Sequence, residues 1–531
     1  MPIPQVLQEK RYAASTTIRR STALLGTGLE GAREGILAML AFGADGGADG
    51  ETAIRFVHNP AFDQEQYSIS SGVGGVSVEA GSETAAVWAA ATVSQLCFEN
   101  EGRLPYCFVE DAPRFGWRGL LIDVCRHFFP METLYRLVDL LAYYKYNRLH
   151  LHLSDDQGFR FESERFPLLS RVGSRRTSTQ IRRSGTAVQD KLPHGGYYTK
   201  HELRALVAYA KARGVEIVPE LDMPGHALSI LAAYPALGCF DEPFEVETTF
   251  GVSDFSRKLL CAGKEETFEF VSSLLEELLE VFPFPYIHIG GDEAVKDNWK
   301  RCPCCQRVIH EQGLKDEREL EGYFLNRVSR FLRERGRKAI VWNDGLCANL
   351  DKDIITQFWT PFYMEGAGRT ARRVNAGSAA VMSPFLRVYY DYPYAMTPLK
   401  KTYGFEPVLR GIRTRARQRV LGVESAIWTE WIDSEEKLFF NTLPRLAATA
   451  ETGWTNPKQK RYRDFLRRLQ PHYALYDRLK LPYAGNVERT LPLGKRIRGI
   501  RTFLRTDTHA ELGNTRQEGG TAGKERIKPE V

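Results

Sequence analysis

The sequence predicts an α/β fold in which a (β/α)8 TIM barrel follows a small N-terminal α/β domain. Eight short apolar segments, mostly separated by amphipathic stretches, span about 340 residues, and strands that alternate with helices on this scale pair in parallel. A doubly wound sheet is the alternative, but it needs a glycine-rich phosphate turn after the first strand. Cys125, Arg126 and His127 occupy that position, so we expect the strands to close into a barrel.

Changes in pattern along the chain predict an N-terminal α/β accessory domain, a barrel with a C-terminal helix, and a basic tail, at residues 1–112, 113–484 and 485–531. In the first region, alternating segments at 67–70 and 75–80 predict strands, and an apolar helix is expected at 85–96. The Gly/Asp-rich segment 42–50 predicts a loop. The tail is polar and rich in Gly and Thr, so we expect a solvated, flexible end.

Short runs rich in Leu, Ile, Val and Ala predict the barrel strands at 118–124, 148–153, 216–221, 286–289, 339–342, 354–359, 379–382 and 420–427. Amphipathic helices are predicted at 131–146, 200–213, 267–282, 320–335, 434–449 and 461–479. In the first helix Leu134, Leu137 and Leu141 recur at three- and four-residue spacing, and Gly214 and Gly336 end two of the others.

The composition excludes several classes of protein. With 43% hydrophobic and 26% charged residues, the chain is an ordinary globular protein rather than a disordered or fibrous one. No apolar stretch approaches the roughly 20 residues that cross a bilayer, and the first residues lack the apolar core of a secretory signal. Nine scattered cysteines fit a reducing compartment, so we expect a cytoplasmic protein without a membrane partner.

The net charge of +6 does not indicate a nucleic-acid partner. Residues 485–531 carry ten Lys and Arg against six Asp and Glu, so the tail accounts for +4 of the +6. The remaining body is nearly balanced and shows no basic stripe on a recognisable helix or loop.

Side chains suited to catalysis follow all eight predicted strands. In a barrel the active site lies at the C-terminal ends of the strands. In chain order these ends carry Arg126, Asp155 with Asp156, Asp222 with His226, Asp292 with Glu293, Trp342, Trp359, Tyr389 with Asp391, and Trp428 with Glu430. A single acid there is more often a helix cap, and a single Trp more often part of the core. Acids and aromatic rings at one mouth are typical of a sugar site, because rings stack on pyranose faces and acids bind hydroxyls and transfer protons.

The segment 288–293, HIGGDE, is the most specific of these strand ends. Gly290 and Gly291 let the backbone turn and approach a ligand closely. Asp292 and Glu293 differ by one methylene, so adjacent positions can reach different substrate atoms. Capping of the following helix is the alternative explanation of this acidic pair.

This motif resembles the signature of the glycoside hydrolase family 20 β-N-acetylhexosaminidases. The similarity continues in order through RGLLIDVCRHFFP (118–130), HLHLSDDQGFR (150–160), PELDMPGH (219–226), VWNDG (341–345), VMSPF (381–385) with YYDY (389–392), and ESAIWTEW (424–431). It covers residues 115–457, and residues 1–112 are similar in style to the small N-terminal domain of that family. Cys125 and Leu151 replace a Ser and a Trp that are common in the family, and both replacements are expected to affect packing only.

The resemblance implies an exo-acting, retaining β-N-acetylhexosaminidase without an enzyme nucleophile. The substrate's own 2-acetamido oxygen would attack the anomeric carbon and form an oxazolinium intermediate. By this resemblance Glu293 is the general acid and then the general base, and we expect a raised pKa that holds its proton near neutral pH. Asp292 would accept a hydrogen bond from the acetamido N–H, and Tyr389 would donate one to the acetamido oxygen.

The resemblance also implies the residues that bind the sugar. Arg126 and Glu430 match residues that hold the hydroxyl groups, with a fork of donors and a pair of acceptors. Asp155 and His226 match a network that orients Glu293. Trp342, Trp359 and Trp428 are expected to line the acetamido pocket and the face of the sugar. Asp391 matches a second pocket residue beside Tyr389. The implied partner is an oligosaccharide that ends in β-linked N-acetylglucosamine or N-acetylgalactosamine, and no cofactor is implied.

The cysteines suggest a metal site as an alternative feature. Cys302 and Cys305 form a C-x-x-C pair, and Cys239 and Cys261 lie upstream. Four thiolates could hold zinc, but a second C-x-x-C pair is absent. A single pair that begins nine residues after Glu293 is more often a reduced loop element, so no metal is expected.

Two other functional hypotheses stay open. An inactive sugar-binding protein could use the same barrel, although Asp292, Glu293 and Tyr389 are all present. A glycosidase with a direct carboxylate nucleophile would need no 2-acetamido group and would also cleave a plain β-glucoside. The sequence leaves open the gluco or galacto preference, the release of mono- or disaccharides, the natural substrate and the oligomeric state.

Overall fold

A computed structural model describes the chain at residues 2–43, 52–182, 188–240, 242–250, 259–361, 366–485 and 492–505. Most of the predicted loop at 42–50 lies outside these ranges, as does most of the predicted tail. No helix in the described ranges combines the length and the hydropathy that a membrane crossing requires.

The N-terminal region forms a six-stranded mixed sheet with two helices. Its strands are β1 (Gln8–Thr16), β2 (Ile18–Leu25), β3 (Thr52–His58), β4 (Tyr67–Gly72), β5 (Gly75–Ala80) and β6 (Leu104–Asp111), in the order β1-β6-β4-β5-β3-β2. The helices are α1 (Arg33–Phe42) and α2 (Glu83–Glu99). Residues 85–97 of α2 are all buried, and Ser82 caps its start by accepting a hydrogen bond from the Ala85 N–H at 3.2 Å.

Eight parallel strands close into a barrel, which confirms the predicted fold class. They are β7 (Trp117–Asp123), β8 (Arg148–His152), β9 (Glu216–Glu220), β10 (Tyr286–His288), β11 (Lys338–Trp342), β12 (Ile355–Phe358), β13 (Ala380–Met382) and β14 (Val420–Ile427). The last strand returns to the first, with Gly422 paired to Trp117 and Ile427 to Ile122. Each strand lies within one residue of its predicted ends.

The connections contain α3 (Met131–Tyr143), α4 (Lys200–Ala212), α5 (Leu228–Ala233), α6 (Glu265–Val281), α7 (Asp297–Arg301), α8 (Pro303–Glu311), α9 (Glu317–Glu334), α10 (Gly366–Ala376), α11 (Phe385–Val388), α12 (Leu399–Tyr403), α13 (Glu435–Thr442), α14 (Arg445–Trp454) and α15 (Tyr462–Arg478). The helix predicted at 434–449 is two helices, because Pro444 lacks the N–H that would continue the first. Between β11 and β12 the described chain has a single turn, Asn343–Gly345, in place of a helix.

The interior of the barrel is layered. An apolar layer at one end contains Trp117, Val218, Ile340, Ile355 and Val381. Nearer the C-terminal ends of the strands, the interior carries buried polar side chains, which are His150, His152, Glu220, His288, Gln357 and Glu424. Barrel interiors are usually filled by branched apolar residues, so this polar layer indicates a role in supporting the mouth.

A buried ion pair joins the N-terminal sheet to the barrel. The ammonium group of Lys145, which follows α3, lies 2.9 Å from the Asp111 carboxylate at the end of β6 and donates to the Tyr67 hydroxyl at 2.6 Å. Trp454 at the end of α14 donates to the other oxygen of Asp111 at 2.9 Å. Lys145 and Asp111 are fully buried, so each depends on the other for the stability of its charge.

A helix occupies part of the predicted tail. Residues Leu493–Arg505 form α16, which the sequence analysis did not predict. Arg496 donates to the Ala395 carbonyl at 3.2 Å, and the Phe503 ring lies 6.2 Å from the ring of Tyr392. This segment therefore contacts the loop after β13, in contrast to the expected solvated end.

Candidate active site

The loop after β10 presents Asp292 and Glu293 by a tight backbone turn. Gly290 and Gly291 have φ values of +68° and +92°, and a Cβ at Gly290 would lie 1.6 Å from the Asp222 carboxyl. Glu293 has a φ of +46°, and its N–H donates to Asp344 at 2.9 Å. The next helix, α7, begins at Asp297 after Lys296, so neither acid of the pair caps it. The capping alternative is therefore wrong.

Glu293 is held by a chain of charged groups that leads back to β8. His226 Nε2 lies 3.5 Å from the Glu293 carboxylate, and His226 Nδ1 lies 3.2 Å from Asp155 Oδ1. Burial lowers the pKa of His226, but the Asp155 charge and further hydrogen bonds outweigh it and raise the pKa well above its usual value. His226 is therefore an imidazolium at neutral pH.

The charge of His226 determines the acidity of Glu293. Burial raises the pKa of Glu293, but the hydrogen bond and the charge of His226 hold it below its usual value. The expectation of a raised pKa is wrong for this arrangement. The Glu293 side chain is 37% exposed, so a ligand that covered it would strip water from the carboxylate and raise its pKa.

Asp292 lies against a second buried acid, Asp222. The two carboxyl groups are in hydrogen-bonding contact, and no N–H or hydroxyl of the described residues donates to either oxygen of Asp222. Burial raises the pKa of both groups well above the usual value. The charge of Asp222 adds to this effect for Asp292, and the charges of Glu220 and Asp155 add to it for Asp222. Two carboxyl groups in contact cannot both ionise easily, so the pair holds a shared proton more strongly than a separate Asp side chain would.

Arg126 is fixed by three side chains at the other side of the mouth. Its guanidinium donates to Gln157 at 3.0 Å and lies 2.8 Å from Asp155 and 3.3 Å from Asp123. Burial lowers the pKa of Arg126, but the carboxylates outweigh it and raise the pKa well above its usual value. Glu430 is 4.0 Å away, which leaves a gap between donor and acceptor groups that a hydroxyl could bridge.

Aromatic rings form a continuous wall between Arg126 and Asp292. The Arg126 guanidinium lies over the Trp428 ring at 5.1 Å. The Trp428 ring lies 5.9 Å from that of Trp342 and 6.2 Å from that of Tyr389. Trp359 packs against the same aromatic cluster and donates to Asp344 at 2.8 Å. The structure thus brings all four predicted aromatic residues to one mouth.

Asp391 and Glu430 are the remaining predicted acids. Burial, and then the charge of Glu430, raises the pKa of Asp391 to about 8. Burial also raises the pKa of Glu430, although the charge of Arg126 opposes it. Asp391 Oδ1 is buried and accepts no hydrogen bond from the described residues. Asp391 therefore carries a proton at neutral pH and can donate as well as accept.

A buried network beneath the mouth was missed by the sequence analysis. Glu220 on β9 accepts a hydrogen bond from His152, whose other ring nitrogen lies 2.8 Å from Asp155. Glu220 also lies 3.2 Å from His150 Nε2 and 2.7 Å from His288 Nδ1. A visible signal was the alternation of histidines at 150 and 152, because residues two apart on a strand face the same side. Asp344 and Gln157 were also missed as site residues, and Asp222 was noted at a strand end without a role, although each directly follows a strand or its turn.

Comparisons with known proteins agree with this geometry. The family model described as "Glycosyl hydrolase family 20, catalytic domain" matches residues 115–457, nearly two thirds of the chain. A β-hexosaminidase from Porphyromonas gingivalis is 35% identical over 470 residues, which cover 85% of this chain and 57% of that protein. A β-hexosaminidase from Akkermansia muciniphila is 33% identical over 427 residues, which cover 78% of this chain and 84% of that protein.

Solved structures share the fold. An exo β-N-acetylglucosaminidase of family 20 from Vibrio harveyi, solved with N-acetylglucosamine, has a TM-score of 0.80 at 28% identity over 91% of this chain and 78% of its own. An N-acetyl-β-hexosaminidase from Streptomyces plicatus has a TM-score of 0.76 at 28% identity, over 91% of this chain and 96% of its own. The chain therefore belongs to glycosyl hydrolase family 20, with a catalytic domain of the β-N-acetylhexosaminidase type.

Proposed function

We propose that the protein is an exo-acting, retaining β-N-acetylhexosaminidase that removes terminal β-linked N-acetylglucosamine or N-acetylgalactosamine by substrate-assisted catalysis. The observation that carries the proposal is the adjacency of Asp292 and Glu293 at the end of β10, with Asp292 turned towards the buried acids and Glu293 towards solvent. The exo mode is supported by the Vibrio harveyi relative, described as an exo β-N-acetylglucosaminidase.

In the first step Glu293 donates its proton to the glycosidic oxygen while the 2-acetamido oxygen attacks the anomeric carbon. The bond between that carbon and the leaving oxygen breaks, and a cyclic oxazolinium forms. In the second step Glu293 removes a proton from water, which opens the ring from the same face as the original bond. Two inversions at one carbon give overall retention.

Asp292 and Tyr389 control the acetamido group in this proposal. Asp292 accepts the amide N–H and places negative charge beside the nitrogen, where positive charge develops. Its shared proton must then rest on Asp222, which has no other donor among the described residues. Tyr389 is 5% exposed, and its hydroxyl donates to the acetamido oxygen and aims it at the anomeric carbon.

The remaining residues hold the sugar. Arg126 donates to hydroxyl groups and Glu430 accepts from them, across the gap between their side chains. Asp391, protonated at neutral pH, donates to a further sugar oxygen beside Tyr389. Trp342, Trp359 and Trp428 enclose the acetamido methyl group and the apolar face of the ring.

The test is hydrolysis of three aryl β-glycosides, those of N-acetylglucosamine, N-acetylgalactosamine and glucose. We expect turnover of the acetamido sugars alone, and its loss in Glu293→Gln. Glu311→Gln is the matched control, since Glu311 lies exposed on α8 with only a 3.9 Å ion pair to Arg307. Turnover of the glucoside would favour a carboxylate nucleophile, and a folded protein that cleaves none of the three would favour an inactive sugar-binding protein.

A further inference from the structure

Four cysteines converge outside the candidate active site. Cys261, Cys302 and Cys305 are buried and Cys239 is half-buried, and all four sulfur atoms lie within 4.8 Å of one another. Cys239 follows α5, Cys261 precedes α6, and the other two flank the start of α8. We propose that these four thiolates bind a structural zinc ion.

The distances between the sulfur atoms match a tetrahedral zinc site. Zinc–sulfur bonds of about 2.3 Å directed to the corners of a tetrahedron place neighbouring sulfurs about 3.8 Å apart. The Cys261 sulfur lies 3.7 Å from that of Cys302 and 3.6 Å from that of Cys305, and the Cys239 and Cys305 sulfurs are 3.9 Å apart. None of the four cysteines is in a disulfide bond, so no disulfide accounts for this convergence.

The backbone around the cluster is built to keep the two loops together. A Cβ at Gly263 would lie 2.2 Å from the Cys304 backbone carbon, so only glycine lets the Cys261 segment approach α8 this closely. Cys261 N–H donates to the Leu237 carbonyl at 2.8 Å, and Trp299 donates to the Leu260 carbonyl at 3.0 Å. These bonds hold the sulfurs in place through the main chain.

One feature of α8 is typical of a zinc-binding turn. Cys302 immediately precedes the helix, Pro303 is its first residue, and Cys305 follows within the first turn, so the helix start brings both sulfurs together. A closed set of four thiolates suits a structural zinc ion, because a catalytic zinc keeps one position open. No metal was expected from the sequence because it contains a single C-x-x-C pair, whereas the fold brings the other two cysteines from a separate loop.

The ion would connect the two loops that carry the proposed catalytic groups. Cys239 and Cys261 belong to the connection after β9, which also carries His226. Cys302 and Cys305 belong to the connection after β10, which carries Glu293. Zinc would therefore fix the spacing of these loops beyond the 3.5 Å contact between His226 and Glu293.

The test is the metal content of the purified full-length protein, measured by plasma mass spectrometry after dialysis. We expect about one zinc ion per chain, released when an organomercurial titrates the thiols. Cys261→Ser and Cys305→Ser should each lose the zinc. Cys304→Ser is the matched control, because Cys304 is half-buried in the same helix but lies outside the cluster, and it should keep the zinc.

Several results would overturn the proposal. They are a zinc content near zero in the wild type, retention of zinc in both cluster variants, iron in place of zinc, or a disulfide among the four cysteines in non-reducing peptide mapping. If the cluster variants do not fold, exchange of the wild-type metal for Co²⁺ decides the question. A tetrahedral four-thiolate spectrum with thiolate charge-transfer bands supports the site, and an octahedral cobalt spectrum contradicts it.

Discussion

Glu220→Gln removes the central charge of the network beneath the mouth while keeping the shape of the side chain. The carboxylate is fully buried and faces His150, His152 and His288. Burial lowers the pKa of His150 and His152, but the surrounding carboxylates outweigh it and raise their pKa values to about 9 and about 10. Both rings are therefore imidazolium ions at neutral pH, and Glu220 balances them.

The size of the effect follows from these pKa values. The pKa of His152 lies about three units above pH 7, which corresponds to about 4 kcal/mol of favourable interaction, shared between Glu220 and Asp155. Removing one member of a buried charge pair generally costs about 3–5 kcal/mol. We therefore expect Glu220→Gln to lose about 3–5 kcal/mol of unfolding free energy at pH 7.

The dependence on pH provides a second check with a definite sign. A histidine whose pKa is raised by folding stabilises the protein fully below its unfolded pKa of about 6.5, and this stability is lost as the pH rises through the folded value. The stability difference between wild type and Glu220→Gln should therefore shrink between pH 7 and about 10, the folded pKa of His152.

The assay is unfolding in urea, followed by tryptophan fluorescence at several pH values, with a lower midpoint and an unchanged slope expected for the variant. Glu216→Gln is the control, because Glu216 lies on the same strand without a histidine partner and should change stability by less than about 0.5 kcal/mol. Equal midpoints for wild type and Glu220→Gln at pH 7, or a difference that stays constant up to pH 10, would refute the reasoning.

Three further predictions concern the candidate active site. In His226→Asn the pKa of Glu293 should rise, because the neighbouring positive charge is lost. The alkaline limb of the pH profile of kcat/KM should therefore move to higher pH, and a limb at the wild-type pH would contradict the role of His226. Arg126→Lys should lower kcat/KM about 10- to 100-fold, since lysine cannot keep all three contacts of the guanidinium, and unchanged kinetics would argue against Arg126 as a sugar ligand. Asp391 loses its proton above about pH 8, so we expect the KM of the wild type to rise there and the KM of Asp391→Asn to stay constant. Identical KM profiles would show that the protonation of Asp391 does not affect binding.

The strands could be predicted because each is a short apolar run that packs on both faces, so its local composition identifies it. Pro444 breaks the helix predicted at 434–449, which the apolar spacing alone did not show. The helix α16 was missed because Gly494 and Gly499 lower the helix propensity of its segment. Strand-end residues could be assigned to one mouth because parallel strands of a barrel end on the same side.

Other properties depend on distances that no linear pattern contains. The low pKa of Glu293 arises from a charged ring 3.5 Å away on a different loop, and Asp155 makes the largest contribution to keeping that ring charged. The cysteine cluster joins the C-x-x-C pair of one connection to Cys239 and Cys261 of another, and the spacing of those two along the chain matches no second zinc half-site. In both cases the deciding partner is remote in sequence and close in space.

Because of the ion pair between Lys145 and Asp111, the region that matches the family model is not expected to fold by itself. The family match begins at residue 115, so a fragment cut there would retain Lys145 but lose Asp111 and Tyr67. The surface that packs on the sheet, including Trp454 and the Lys145 ammonium group, would then be exposed without its partners. The barrel and the N-terminal sheet are thus expected to melt in one transition, and a chimera that exchanges the barrel between family members should carry β4 and β6 with it.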